Sequence, residues 1–518
     1  MNIRAGIIGR SRTWELLLQR EGLPWTIIDP ATGEGMAECS VAIVTHPMDA
    51  AGREMLALYL RSGGAILAAA AHVAGLGGTM VRKEDLQYLV SGGEKTFGSL
   101  RLMDVHVRGA IPREAHCLRT QANTQAVFAG SLLGGVAVLL PFDPVAVLAD
   151  TRTANRAFYA QHDRLPSERV SRVSRGELFQ LCHHALEFLH HARSLPYVHL
   201  WYYPGQCPNV LAFRIDTDGS PQSDVDALYR VLRDAGVPGT WFLDVSSHES
   251  WLDHFAGFGG HEIALHCYRH RIDADMQKQR TDWEHGLSLL RKAGFLLAGV
   301  AAPFGTWTPE LGRVIDGLGL EYSSEFSYAY DTLPLYPERG DDAFRTLQVP
   351  IHPVSTGSLR RSGFTAGQMS TYFRMAADAL HARDLPLFFY HHPTHRSLNV
   401  IASLLEYVRS LGIAGMRMDE MARWWTSRSS VKVSFIQEGA TLSIAGSAAM
   451  RSANVGLRVS FSPEEDALLQ PVRELDMRAV QRRRRCLPDV PEDMRTIREP
   501  DPRRAFGDLF VSMLRRAT

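Results

Sequence analysis

No two cysteines of this chain lie near each other: Cys39, Cys117, Cys182, Cys207, Cys267 and Cys486 are widely spaced and form no C-x-x-C pair. That spacing argues against a disulfide framework and against a thiolate zinc site, and leaves reduced, mostly buried thiols. An excess of charge of either sign is also missing. The 56 Lys and Arg residues balance 56 Asp and Glu, so no global field points to nucleic acid. No run of about 18 uninterrupted apolar residues occurs to span a bilayer. The first ten residues carry neither a long apolar core nor a small-residue cleavage site, and the expected address is cytoplasmic. Internal repeats and low-complexity tracts are absent as well.

What is present is a long chain, 518 residues with 45% hydrophobic and 22% charged side chains, enough for about three domains with ample core. Residues 1–75 alternate in a βα manner. Strands are expected over 4–8, 25–28, 41–45 and 65–69, with helices over 13–19 and 49–61, the second stopped by Gly63-Gly64. Such alternation implies a parallel, doubly wound sheet, in which Thr45-His46-Pro47 lies at a strand's carboxyl end, where ligands bind.

The arrangement Leu58-Tyr59-Leu60-Arg61-Ser62-Gly63-Gly64-Ala65-Ile66-Leu67 resembles the flavodoxin-like layer of class I glutamine amidotransferase-like domains. Those enzymes place a nucleophilic cysteine on a strand-to-helix elbow, whereas this chain runs Ala68-Ala69-Ala70-Ala71-His72-Val73. Without a thiol no thioester forms. Residues 1–150 are therefore expected to be a non-catalytic accessory domain.

Residues 151–208 read as a helical bridge. Its helix over 174–193 carries His183, His184, His190 and His191. The paired histidines point apart on a helix and no acid or cysteine partner recurs nearby, so they are expected to pack or face solvent. From 209 to 427 strands and helices alternate again, in seven or eight units, which suggests a regular or distorted βα barrel with its chemistry at the strand carboxyl ends. Residues 428–470 show period-two alternation around Gly439 and are expected to form a small β appendage. The tail, 471–518, holds Arg482-Arg483-Arg484-Arg485 and a basic amphipathic segment with Phe506, Leu509, Phe510, Met513 and Leu514 beside Arg503, Arg504, Arg515 and Arg516. It suits a peripheral contact with an anionic membrane surface, a docked helix being the alternative.

The chemistry concentrates between Phe213 and His270. Asp216 and Asp218, two apart at a strand end, can face one site by strand alternation; one can bind a metal while the other serves as a base. His266 and His270, four apart, can present two imidazoles to the same ion. With Asp218 they form a two-histidine, one-carboxylate set that leaves positions for water and substrate. It suits one divalent ion, zinc first, with cobalt, nickel or iron as alternatives.

These residues resemble the polysaccharide deacetylase superfamily, carbohydrate esterase family four, over roughly residues 209–425. The family's adjacent acids appear here split, as Asp216-Thr217-Asp218, and its paired histidines as His266 and His270. Its Arg-x-Pro-aromatic motif appears as Ala301-Ala302-Pro303-Phe304, which lacks the arginine. Its final strand ending in histidine appears as Leu387-Phe388-Phe389-Tyr390-His391-His392-Pro393. The split acids, His261-Glu262-Ile263-Ala264-Leu265-His266, Tyr322-Ser323-Ser324-Glu325 and Val349-Pro350-Ile351 are closer to the branch of the lipid-linked formamido-arabinose deformylase.

The resemblance implies a hydrolase that removes an N-acyl group from a sugar. Asp216 would be the base and Asp218, His266 and His270 the metal ligands. His392, or else His391, would be the acid that protonates the leaving amine, with Pro303 and Phe304 beside the substrate. Trp307 and Tyr268 are candidates for stacking on the sugar, with core packing as the alternative. In the family the missing arginine positions the base; Arg214 and Arg269 are the two candidates to replace it. Its loss also keeps open a catalytically silent, carbohydrate-binding scaffold, and a small non-sugar amide is a third substrate class.

Overall fold

Eight parallel strands make the sheet that carries the candidate site. In the computed structural model, which describes residues 1–339 and 342–485, Val210–Asp216 is followed by Gly239–Asp244, Glu262–Cys267, Gly299–Val300, Tyr322–Ser323 and Leu347–Gln348, each paired with the one before. Leu387–His391 pairs on the other side of Val210–Asp216, and an eighth strand, Ala414–Gly415, pairs with Val210 and Leu211. The ladder does not close between Leu347–Gln348 and Leu387–His391. One backbone bond from His352 N to Phe388 O, 2.7 Å, reaches across that gap. The sheet is thus a curled, incompletely closed βα barrel. Val210–Asp216 is buried at every position, which is why it opens as an unbroken apolar run, Val210 to Phe213, instead of alternating.

The covering helices carry ordinary sequence signals. Gln222–Ala235 buries Val225, Leu228 and Leu232 along one face and ends at Gly236, φ 67°. Each side chain so buried contributes on the order of 1.5–3 kcal/mol. Met276–Lys292 is capped by Asp275, and Pro309–Leu318 by Thr308. These elements, with Thr151–Arg172 and the rest of Cys207–Trp425, form one compact unit.

The other unit combines Met1–Asp150, Val173–Gln206 and the described chain from Thr426 onward. Its nine-stranded sheet starts with five parallel strands in the order Trp25–Ile28, Ala5–Ile8, Val41–Val44, Ala65–Ala69 and Gly135–Leu140. Antiparallel strands from 81–132 extend it. That extension has no counterpart in the expected βα alternation. Ala65–Ala69 leads into a 3-10 turn, Ala70–Val73, with no thiol.

The observed grouping differs from the sequence boundaries. The expected bridge divides: a hairpin of Thr153–Ala157 with Ser167–Ser171 belongs with the barrel, while the helix Arg175–Ala192 and strand Tyr197–Pro204 belong with the first 150 residues. Val455–Ser462, expected in an appendage, pairs between Tyr197–Pro204 and Glu465–Leu469. Pairing on both sides satisfies backbone groups that a free edge would expose.

The helix histidines pack, one of the two expected outcomes, but the expected lack of acid partners does not hold. His183, His184 and His190 are buried, and acids do reach them: Glu21 lies 2.5 Å from His183 Nδ1, and Glu187 3.7 Å from His184 Nδ1. Arg482, Arg483 and Arg485 of the tail pair with Glu465, Asp466 and Glu187. The amphipathic segment that carries the expected membrane contact lies outside the described residues. Among the described residues, no helix is long and apolar enough to cross a membrane.

Candidate metal centre and active site

Asp216 is the last residue of its strand and is 3% exposed. Two residues earlier on the same strand, Arg214 donates from Nε to its Oδ1 at 2.6 Å and from Nη2 to its Oδ2 at 2.7 Å. The remaining guanidinium nitrogen donates to the Ser324 carbonyl and, at 3.2 Å, to Ser324 Oγ. Phe242 and Tyr390 flank the same group. Burial works against ionisation of Asp216, and the Arg214 guanidinium outweighs it, holding the carboxyl below its usual range.

Asp218 does not continue the strand, contrary to the alternation argument. Thr217 is tied to the neighbouring strand through Phe242 O and Asp244 N. Asp218 then turns into the left-handed region, φ 35°, followed by Gly219 at 66°. A short acidic side chain tolerates that conformation. It is this turn, not the pleat, that returns Asp218 to the site.

Around Asp218 stand three imidazoles. Its Oδ1 lies 3.1 Å from His266 Nε2 and 3.3 Å from His270 Nε2, and its Oδ2 lies 3.2 Å from His392 Nε2. Burial opposes the charge, and His392, supported by His266 and His270, holds the carboxyl well below its usual range. His266 points Nδ1 at Ala301 O, 2.7 Å away, which makes Nδ1 the donor and leaves a lone pair on Nε2.

Asp218, His266 and His270 each place a ligand atom within 4.8 Å of the other two. Asp218 Oδ1 and His270 Nε2 are buried atoms with no hydrogen-bond partner among the described residues. A buried carboxylate oxygen and a buried imidazole nitrogen without hydrogen-bond partners, beside the His266 Nε2 lone pair, fit a divalent cation.

His391 and His392 are adjacent and separate. His392 Nε2 is 4.0 Å from Asp216 Oδ2 as well as 3.2 Å from Asp218. His391 turns to Thr356 Oγ1 at 3.0 Å, fully buried, and burial beside His392 pushes its pKa down to about 3. His395, which no sequence motif singles out, packs on His392 with ring centroids 4.4 Å apart.

The motif around Pro303 forms a 3-10 turn in which Phe304 takes φ 62°, is 42% exposed and packs edge-on to His270 at 4.9 Å. Glu325 braces this turn: it accepts from Ala302 N, Ser323 Oγ and Gln348 Nε2, and burial raises its pKa. The two stacking candidates fall elsewhere. Trp307 is 2% exposed, against Tyr328 and Phe344, and has no face for a sugar. Tyr268 contacts Glu249, His285 and Arg269. Arg269 thus lies over Tyr268, whereas Arg214 reaches Asp216. The signal for Arg214 was available, since residues two apart on a strand share a face.

Fold and side chains together define an α/β protein with an incompletely closed βα barrel and a candidate two-histidine, one-carboxylate centre at its strand ends. No family model matches the chain, and no curated protein matches it. Among solved structures, similarity extends to a Mycobacterium smegmatis protein named as a polysaccharide deacetylase. That match has 19% identity over 44% of this chain and 93% of that one, with a TM-score of 0.36. A Pseudomonas aeruginosa PAO1 protein named likewise shows 19% identity over 43% and 93%, TM-score 0.37. Puue allantoinase shows 18% over 44% and 93%, TM-score 0.37. Likenesses of this degree do not fix an activity, and the functional reading rests on the side chains of the site.

Proposed function

We propose that the chain is a metal-dependent amide hydrolase that removes an acetyl or formyl group from an N-acylated sugar of a glycan, a glycolipid or their precursor. The observation that carries this reading is the meeting of Asp216, Asp218, His266, His270 and His392 at one end of the barrel. Asp218, His266 and His270 would hold the ion, which supplies Lewis acidity at the acyl carbonyl. Asp216, ionised and fixed by Arg214, takes a proton from the attacking water. His392, on the other side of Asp218, donates a proton to the leaving amine, which otherwise departs as a very poor leaving group. A backbone N–H beside Phe304 stabilises the oxyanion.

The Arg214–Asp216 bond weighs against the catalytically silent scaffold, whose best support is the arginine missing from the Ala301–Phe304 motif. The lipid-linked formamido-arabinose deformylase branch, with a formyl group as the leaving acyl, is the finer form of the proposal, and it rests on the motifs alone. Metal analysis of the purified chain together with mass spectrometry of N-formyl and N-acetyl sugars tests it. One divalent ion at the barrel centre and release of formate or acetate are expected. Full activity in Asp216→Asn would overturn the assigned base.

A further inference from the structure

Three elements of the first unit meet at a buried cluster that the barrel chemistry does not use. Glu21 ends the helix Arg12–Glu21, His183 lies within Arg175–Ala192, and His199 lies on Tyr197–Pro204. Their exposures are 1, 5 and 0%, and one ligand atom from each falls within 4.8 Å of the other two. We propose that Glu21, His183 and His199 form a second, structural site for a divalent metal ion, separate from the barrel centre.

His199 is the independent sign of a ligand. Its Nδ1 faces Leu200 O at 2.9 Å, so Nδ1 carries the proton and Nε2 a lone pair. That Nε2 is buried, and among the described residues nothing donates to it. A desolvated, unpaired lone pair destabilises the fold unless something accepts it. His266 in the barrel likewise sets Nδ1 on a carbonyl and turns Nε2 towards the candidate ligand set, 3.1 Å from Asp218 Oδ1.

Glu21 Oε1 accepts from His183 Nδ1 at 2.5 Å, Tyr197 at 2.8 Å and Tyr202 at 2.7 Å. No lysine or arginine is among these donors. The guanidinium of Arg428, close by, reaches the backbone carbonyls of Arg20, Glu21, Leu200 and Trp201. A proton shared between His183 and Glu21 would balance that pair and still leave His199 Nε2 unsatisfied. A cation satisfies all three, and the tyrosine hydroxyls then orient the carboxylate from outside.

Two imidazoles and one carboxylate favour zinc, with cobalt and nickel as neighbours in preference. Complete burial leaves no path for a substrate, so the ion would join two helices and a strand. The overlapping set His183, His184 and Glu187 is a weaker claimant. Glu187 already pairs with Arg485 at 2.5 Å and Ser460 at 2.6 Å, and His184 with Ser99 at 2.8 Å.

The test separates the two sites. The full chain carrying Asp218→Ala together with His270→Ala, which takes the carboxylate and one imidazole from the barrel centre and leaves the first unit untouched, is loaded with zinc, desalted and assayed for bound metal. One tightly held equivalent is expected, and Glu21→Gln or His199→Gln on that background should abolish it. Cobalt substituted into the Asp218→Ala/His270→Ala chain should give a visible ligand-field spectrum that the same chain with Glu21→Gln lacks. An Asp218→Ala/His270→Ala chain, folded by circular dichroism, that retains no zinc overturns the proposal. So does zinc that persists after both Glu21→Gln and His199→Gln. Neither result depends on turnover, so failure here is distinguishable from failure of the hydrolase reading.

Discussion

Arg214 grips Asp216 from two residues upstream on the same strand, with both carboxylate oxygens engaged at 2.6 and 2.7 Å. A buried, bidentate pair tolerates neither loss of a partner nor loss of the planar fork. Arg214→Ala should destabilise the chain by about 3–5 kcal/mol, as an uncompensated buried carboxylate does. Arg214→Lys should fold better yet lose roughly 100-fold in turnover, because the base is no longer aimed. Arg269→Ala should change little. Denaturant titration and steady-state kinetics check all three, and wild-type kcat in Arg214→Lys would refute the positioning role.

His392 and His391 should part in kinetics as they do in space. His392→Gln is expected to lower kcat by about 10²–10⁴-fold, the usual range for a general acid, with folding intact. His391→Gln removes a buried group bonded to Thr356 and should cost stability more than turnover. The comparison is kcat against unfolding midpoint for each variant.

Trp307 offers a check on substrate contacts. Buried between Tyr328 and Phe344, it should cost about 3–5 kcal/mol when cut to alanine. The milder Trp307→Phe should leave KM unchanged. Phe304→Gly relieves a left-handed non-glycine residue, worth about 1 kcal/mol, and should raise KM without loss of stability. A raised KM in Trp307→Phe would place that ring at the substrate after all.

Stability should respond to pH with two opposing limbs. Burial lowers His184 and His190 to about 4 and, together with the neighbouring His392, lowers His391 to about 3. Between these values and the unfolded 6.5, the native state binds fewer protons than the unfolded state. Stability therefore rises with pH through this window and is lost as pH falls below about 6.5. Glu262 acts oppositely. Burial, with Asp419 nearby, raises it to about 8, so its contribution is full below about 4.5 and declines as pH rises towards 8. A tenfold change in proton affinity between the folded and unfolded chain corresponds to about 1.4 kcal/mol, and three histidines exceed one carboxyl. Unfolding midpoints measured from pH 4 to 9 should show a steep acid limb, and Glu262→Gln should flatten the alkaline one.

Much of the barrel is legible in the residues themselves. Val210–Asp216 and Leu387–His391 appear where their apolar runs mark them, because strands buried on both faces leave a continuous signal. The strands at 299–300, 322–323 and 347–348 are two residues long each, too short to leave a periodic signal of their own. The antiparallel strands over 81–132 left no comparable pattern, being partly exposed and broken by polar residues.

By itself the sequence determined the chemical vocabulary of this protein: two acids near a strand end, histidines four apart, and a histidine pair before a proline, on an alternating βα frame. Those features are local, and local periodicity and residue type encode them. Tertiary structure alone decided which groups meet. It chose Arg214 over Arg269, turned His392 inward and His391 away, brought Asp218 back through a left-handed turn, and set Glu21 against His183 and His199 from distant parts of the chain. Such choices depend on distances between segments that only the folded backbone specifies, and spacing along the chain does not encode them.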